Sequence, residues 1–156
     1  MRTTTAPKRR ELEFHALDDV RRDVDALHAA GYHRLGNWTL GQTCEHLGIF
    51  IRGCLDGFTQ RAPWYIRPFG GLILRRVLRS GRMPTGVKVP ADWLPGPPTG
   101  DDRAAVEHLV ALLARFEQHA GPLHPSPLFG PLSRETWARL HLIHCAHHLS
   151  FLVPAR

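Results

Sequence analysis

Four stretches of this chain repeat apolar residues at intervals of three and four, which is the spacing of a stripe along an α-helix. In LDDVRRDVDALHAA, residues 17–30, the stripe is Leu17, Val20, Val24 and Leu27; acids occupy the first turn and Gly31 stands just beyond the end. The second opens at NWTLGQ, where Thr39 followed three residues later by Gln42 fits a capping box. It continues through Leu40, Leu47, Phe50, Ile51, Cys54 and Leu55 to about Phe58. TGDDRAAVEHLVALLARFEQHAG announces the third, with Asp101 and Asp102 where the helix dipole favours acids and Gly121 as its stop. The fourth follows Ser133 as N-cap and runs to Val153, ahead of Pro154. Strand signals are almost absent. Four such helices bury their stripes most economically against one another, so an all-α four-helix bundle is expected.

A chain of 156 residues suits a single domain, 1–156, with residues 1–10 as a flexible tail. No apolar run approaches the roughly 18 residues of a membrane span, and MRTTTAPKRR has no apolar segment behind its charges, unlike a secretory signal. A cytoplasmic protein is expected. Cys44, Cys54 and Cys145 form no C-x-x-C pair and are odd in number, which fits reduced thiols better than a disulfide framework. The net charge of +6 raises the question of nucleic acid. The arginines are spread over several segments without a reader motif, and no nucleic-acid partner is expected.

Between the second and third helices lies RAPWYIRPFGGLILRRVLRSGRMPTGVKVPADWLPGPPTG, residues 61–100. A connection this long inside a compact domain is generally functional or locally folded. Within it GLILRRVLR, residues 71–79, can form a short helix packing through Leu72, Ile73, Val77 and Leu78 while Arg75, Arg76 and Arg79 stay in water. The main reading is a long crossover covering one end of the bundle. A lid over a pocket, and a patch for a membrane surface or an anion, are the lesser ones.

HLIHCAHHLSFL, residues 141–152, places four histidines within eight positions of the fourth helix. His144 and His148 share a face about 6 Å apart along the axis, a good chelating pair. His141 lies on the same stripe about 10 Å from His148, too far to join the same ion, and is a candidate second-shell group. His147 points elsewhere. A catalytic divalent centre generally needs a third protein ligand, and His46 in TCEHLG, beside the apolar stripe of the second helix, is the candidate. Facing helices that each contribute inward ligands are an established way to build such a centre. Glu45, Asp56 and Glu107 are the helical acids that could accept the ligands' remaining N–H groups. Cys44, Cys145, Trp137 and Phe151 read as packing residues.

TLGQTCEHLG and HPSPLFGPLSRETWARLHLIHCAHHLSFL resemble the two signature regions of the DinB-like superfamily, the YfiT-type metalloenzymes, and more closely a branch known mainly as a domain of unknown function. The likeness runs from around Arg10 to Phe151 and includes GNW before the second helix. It implies a four-helix bundle of DinB type holding a divalent ion on three histidines, which carry over to His46, His144 and His148. It also implies homodimers, and relatives that are thiol-dependent transferases using a low-molecular-weight thiol.

The functional expectation is therefore a divalent-metal-binding protein, with zinc, nickel or iron equally suited to imidazole. It would act on a small molecule as a metal-dependent thiol (S-) transferase or hydrolase. The alternative is a non-catalytic bundle that binds a metal or small molecule. Because imidazole must be neutral to ligate, occupancy is expected to fall as pH drops through about 6.5.

Overall fold

Each periodic stretch forms a helix in the computed structural model, which describes residues 7–155. In chain order the described elements are α1 (Leu17–Ala30), β1 (Tyr32–Arg34), α2 (Leu40–Asp56), α3 (Gly70–Ser80), α4 (Arg103–Gln118), α5 (Arg134–Leu149) and β2 (Leu152–Pro154). The protein is thus mostly helical, with five helices and one two-stranded sheet among the described residues. α2 packs along α4 and against α5, and α1 lies across α4 and α5. Their stripes share one core, in which Val20, Val24, Leu40, Leu109, Leu113 and Leu149 are fully shielded from water. Burial of this apolar area is the dominant favourable term in folding.

The helix ends are fixed by polar groups that the sequence makes visible. Thr39 accepts from the Gln42 backbone N–H at 3.1 Å, and the Gln42 side chain accepts from the Thr39 N–H at 3.1 Å. This is the expected capping box. Ser133 Oγ accepts from the Thr136 N–H at 3.1 Å and starts α5. Arg134, one residue on, donates to the Phe116 and Glu117 carbonyls at 2.7 and 2.9 Å, so the start of α5 caps the end of α4.

Several boundaries differ from the sequence expectation. α2 stops at Asp56 rather than near Phe58 because Gly57 adopts φ +103°, outside the helical region. Phe58 then folds back over Gly53, where a Cβ would lie 2.3 Å from its ring. α5 stops at Leu149 rather than Val153. The chain beyond it turns and pairs antiparallel with β1, setting Tyr32 opposite Pro154 and Arg34 opposite Leu152. This sheet lies where strand signals were almost absent.

Of the expected tail 1–10, residues 1–6 fall outside the described residues. Arg10 makes a two-pronged ion pair with Asp23, at 2.7 and 2.8 Å, and donates to the Leu149 carbonyl. Arg9 donates to Ser150 Oγ at 2.7 Å and lies 4.0 Å over the Phe151 ring. These two arginines tie residues 9–10 to the end of α5.

The long connection is locally folded. Besides α3 it contains 3-10 turns at Arg67–Phe69 and Ala91–Trp93. Val77 and Trp93 are its buried anchors. Gly70 lets α3 approach the loop before α5 closely, since a Cβ there would meet the Leu128 carbonyl at 2.4 Å. Arg75, Arg76 and Arg79 are exposed as expected, but Leu72 is exposed with them and Leu74 packs on the core instead. No described helix is long and apolar enough to cross a membrane.

Candidate metal centre

On α2 the core-facing residues Leu47 and Ile51 leave a second line, buried His46 and half-buried Phe50, one turn apart and directed toward α5. On α5, His144 and His148 are likewise one turn apart. One nitrogen from each of His46, His144 and His148 can be chosen so that all three lie within 4.8 Å of one another. His46 and His144 are buried and His148 is half-buried. These three histidines could hold a metal ion. Placing imidazoles at inward positions also explains why α5 shows so little apolar contrast between its faces.

The tautomer of one of them follows from its partner. His46 Nδ1 lies 2.6 Å from the Trp93 carbonyl oxygen, which can only accept. Nδ1 therefore carries the proton, and the neutral ring presents an Nε2 lone pair toward His144 Nε2, 3.2 Å away. Two nitrogens bound tetrahedrally at about 2.0–2.1 Å from one ion are about 3.3 Å apart. The observed pair already has the spacing of a ligand edge.

Burial lowers the pKa of His46, despite the opposing hydrogen bond to Trp93. For His144 burial is again the main cause, reinforced by repulsion from its imidazole neighbours, and it holds the pKa well below the ordinary value. His148 is shifted strongly downward for the same two reasons. All three are thereby kept neutral and able to ligate.

Aromatic rings wall the cluster. Trp38, from the GNW segment, stacks on His148 at 5.4 Å and tilts against His46 at 4.8 Å. Phe50 meets His144 edge-on at 4.7 Å. The cluster lines a cavity of about 770 Å³, whose other walls come from α3, the residues after it, and the loop before α5. That volume is within the usual range for small-molecule sites. Its described lining is mostly apolar and contains no carboxylate; the cations Arg76, Arg82 and Lys88 belong to it.

The remaining candidates fall into different places. His141 is buried, stacked on Trp137 at 5.2 Å and hydrogen-bonded to Cys54 Sγ at 3.3 Å, so its partner is a thiol and not one of the three converging histidines. It lines the cavity nonetheless. His147 does not point away: it lines the same cavity, its ring is 4.8 Å from that of His148, and Arg9 lies 3.1 Å from its Nδ1. It is not one of the converging trio. None of the proposed acids is hydrogen-bonded to the three histidines: Glu45 is half-buried and makes no side-chain hydrogen bond among the described residues, Asp56 is exposed and paired with Arg115, Glu107 is exposed, and the role falls to the Trp93 carbonyl. Cys44 and Cys145 are buried in the core, and burial raises both thiols, Cys44 far above its ordinary value and Cys145 up to about 12. Trp137 is buried, whereas Phe151 sits at the edge under Arg9.

The fold and the cluster together define a mostly helical protein with three histidines that could hold a metal ion. The family described as "Protein of unknown function (DUF1569)" matches residues 6–155, and the chain belongs to that family. No curated protein and no solved structure matches it.

Proposed function

We propose that the protein is a DinB-like metal-dependent enzyme, a thiol (S-) transferase or hydrolase, with a divalent ion held by His46, His144 and His148. The four long helices then form the DinB-type bundle and the long connection is the crossover that roofs its site. The observation that carries this reading is the convergence of three imidazole nitrogens within 4.8 Å at the wall of a ligand-sized cavity. A purely structural ion would more commonly have four protein ligands and be closed off, whereas three leave room for an exchangeable one.

An ion in such a site supplies Lewis acidity, lowering the pKa of a bound water or thiol so that it becomes a nucleophile at neutral pH. The described lining offers no carboxylate as general base, only the imidazoles of His141 and His147 beside the trio. The chain's own residues do the rest. The Trp93 carbonyl fixes the His46 ring and its tautomer. Trp38 and Phe50 hold the imidazoles from either side and exclude water. The apolar walls receive the body of a small substrate, and zinc, nickel or iron satisfies the donor set equally.

Metal analysis of the purified protein, followed by absorption spectra of the cobalt-substituted form titrated with glutathione and with cysteine, tests this. One ion per chain and a new thiolate-to-cobalt band are expected. A tightly held ion whose spectrum responds to neither thiol nor pH would instead favour a non-catalytic bundle.

A further inference from the structure

From Gly57 to Ala91 the chain contains seven cations, Arg61, Arg67, Arg75, Arg76, Arg79, Arg82 and Lys88, and no acid. The whole chain has a net charge of +6, so the remainder is slightly negative and the basic character belongs to this segment. The segment also holds most of the large apolar groups left in water: Trp64 is 79% exposed, Leu72 67%, Tyr65 and Phe69 59%, and Val87 55%. Large apolar groups left exposed beside cations of one sign generally mark an interaction surface.

The helix geometry places the two properties together. Leu72, Arg75, Arg76 and Arg79 occupy positions i, i+3, i+4 and i+7 of α3, one face, and all four are exposed. The opposite side packs through Val77 and Leu78 on the core. Among the described residues none of the seven cations has an ion-pair partner.

Charge decides what covers this face. A second copy docked about a two-fold axis would bring arginine against arginine with no acid to meet it. A nucleic acid would satisfy the cations but has no use for exposed Leu72 and Val87. An anionic bilayer satisfies both, since the headgroups attract arginine while Trp, Tyr and Leu enter the interface.

We propose that the outer face of segment 57–91, built from α3 and the Trp64–Tyr65 turn before it, docks the protein on anionic lipid bilayers. It does so peripherally, with the cations on the headgroups and Trp64 and Leu72 seated at the acyl boundary. Arg76, Arg82, Val87 and Lys88 are exposed and also line the cavity, so its mouth borders the docking face.

The test is co-sedimentation of the full chain with vesicles of phosphatidylcholine alone and of phosphatidylcholine mixed with phosphatidylglycerol, at low and high salt. Tryptophan quenching by brominated acyl chains reports insertion. The protein is expected to bind only the anionic vesicles, more weakly in high salt, and to be quenched. Arg75→Ser/Arg76→Ser/Arg79→Ser should lose about a hundredfold in partitioning. Trp64→Ser/Leu72→Ser should lose most of the quenching, and both variants should keep the parent circular dichroism. Absence of binding to anionic vesicles at low salt, equal binding to neutral ones, or binding of the parent without quenching overturns the proposal. Binding of transfer RNA in place of vesicles reassigns the surface to nucleic acid. The arms on the unaltered protein decide the matter even if a variant fails to fold.

Discussion

At the scale of single residues, burial of neutral imidazole dominates the electrostatics. His141 packs between Trp137 and Phe116 at the cavity wall, and burial lowers its pKa to about 3. The unfolded chain takes up this proton near 6.5 and the folded one does not, so the stabilisation is complete above 6.5 and is lost as pH falls toward 3. The loss is about 1.4 kcal/mol per pH unit for this group. His141→Phe keeps the aromatic stack, and Cys54 retains its bond to the Ile51 carbonyl. Denaturant unfolding of the metal-free variant between pH 4 and 6.5 should therefore show a slope shallower by about one proton; an unchanged slope would contradict the assignment. The same burial would move the acid limit of the metal binding proposed for the trio. Loss of metal is expected below the lowered values of His46, His144 and His148, instead of through 6.5 as for exposed histidines, and metal content against pH checks it.

At the scale of elements, Asp102 joins three of them. Its carboxylate accepts from the Gly41 N–H at 2.8 Å and the Tyr32 hydroxyl at 2.7 Å, and that hydroxyl accepts from the Leu40 N–H at 2.8 Å. Asp102, one residue before α4, and Tyr32 between them satisfy the first two amides of α2, and the Asp102 charge sits at two positive helix ends. Asp102→Ala should cost about 1–3 kcal/mol in denaturant unfolding, with Asp102→Asn closer to the parent. Glycine is needed at 41, where a Cβ would lie 2.7 Å from the Asp102 carboxylate. By contrast, changing Arg75, Arg76 and Arg79 to serine should alter stability by under about 1 kcal/mol, because all three are exposed and unpaired among the described residues. The helices were legible because stripes and caps are local: Thr39 with Gln42, and Ser133, sit where the pattern put them. The strands were not, since three residues each leave no alternation to read, and their pairing is set by the return of the chain after Leu149. The end of α5 was missed for the same reason, as Leu152 stays buried and continues the apolar run.

At the scale of the whole molecule, the site depends on α2 and α5 packing so that His46 meets His144, ninety-eight residues apart in the chain. The i, i+4 pair could be read directly from helical spacing, and His46 from its place beside a stripe. The Trp93 carbonyl could not, because a backbone group leaves no mark on the sequence and reaches His46 only once the connection folds over α2. His147 was misplaced for a related reason: the walls contributed by residues after α3 widen the cavity beyond the narrow face that helical spacing defines. The most direct test is the metal content of four single variants purified alike. His46→Ala, His144→Ala and His148→Ala each remove one of three nitrogens and should lose most of the bound ion, whereas His147→Ala should retain it near the parent level. An empty His147→Ala beside a full His46→Ala would contradict the assignment of the centre.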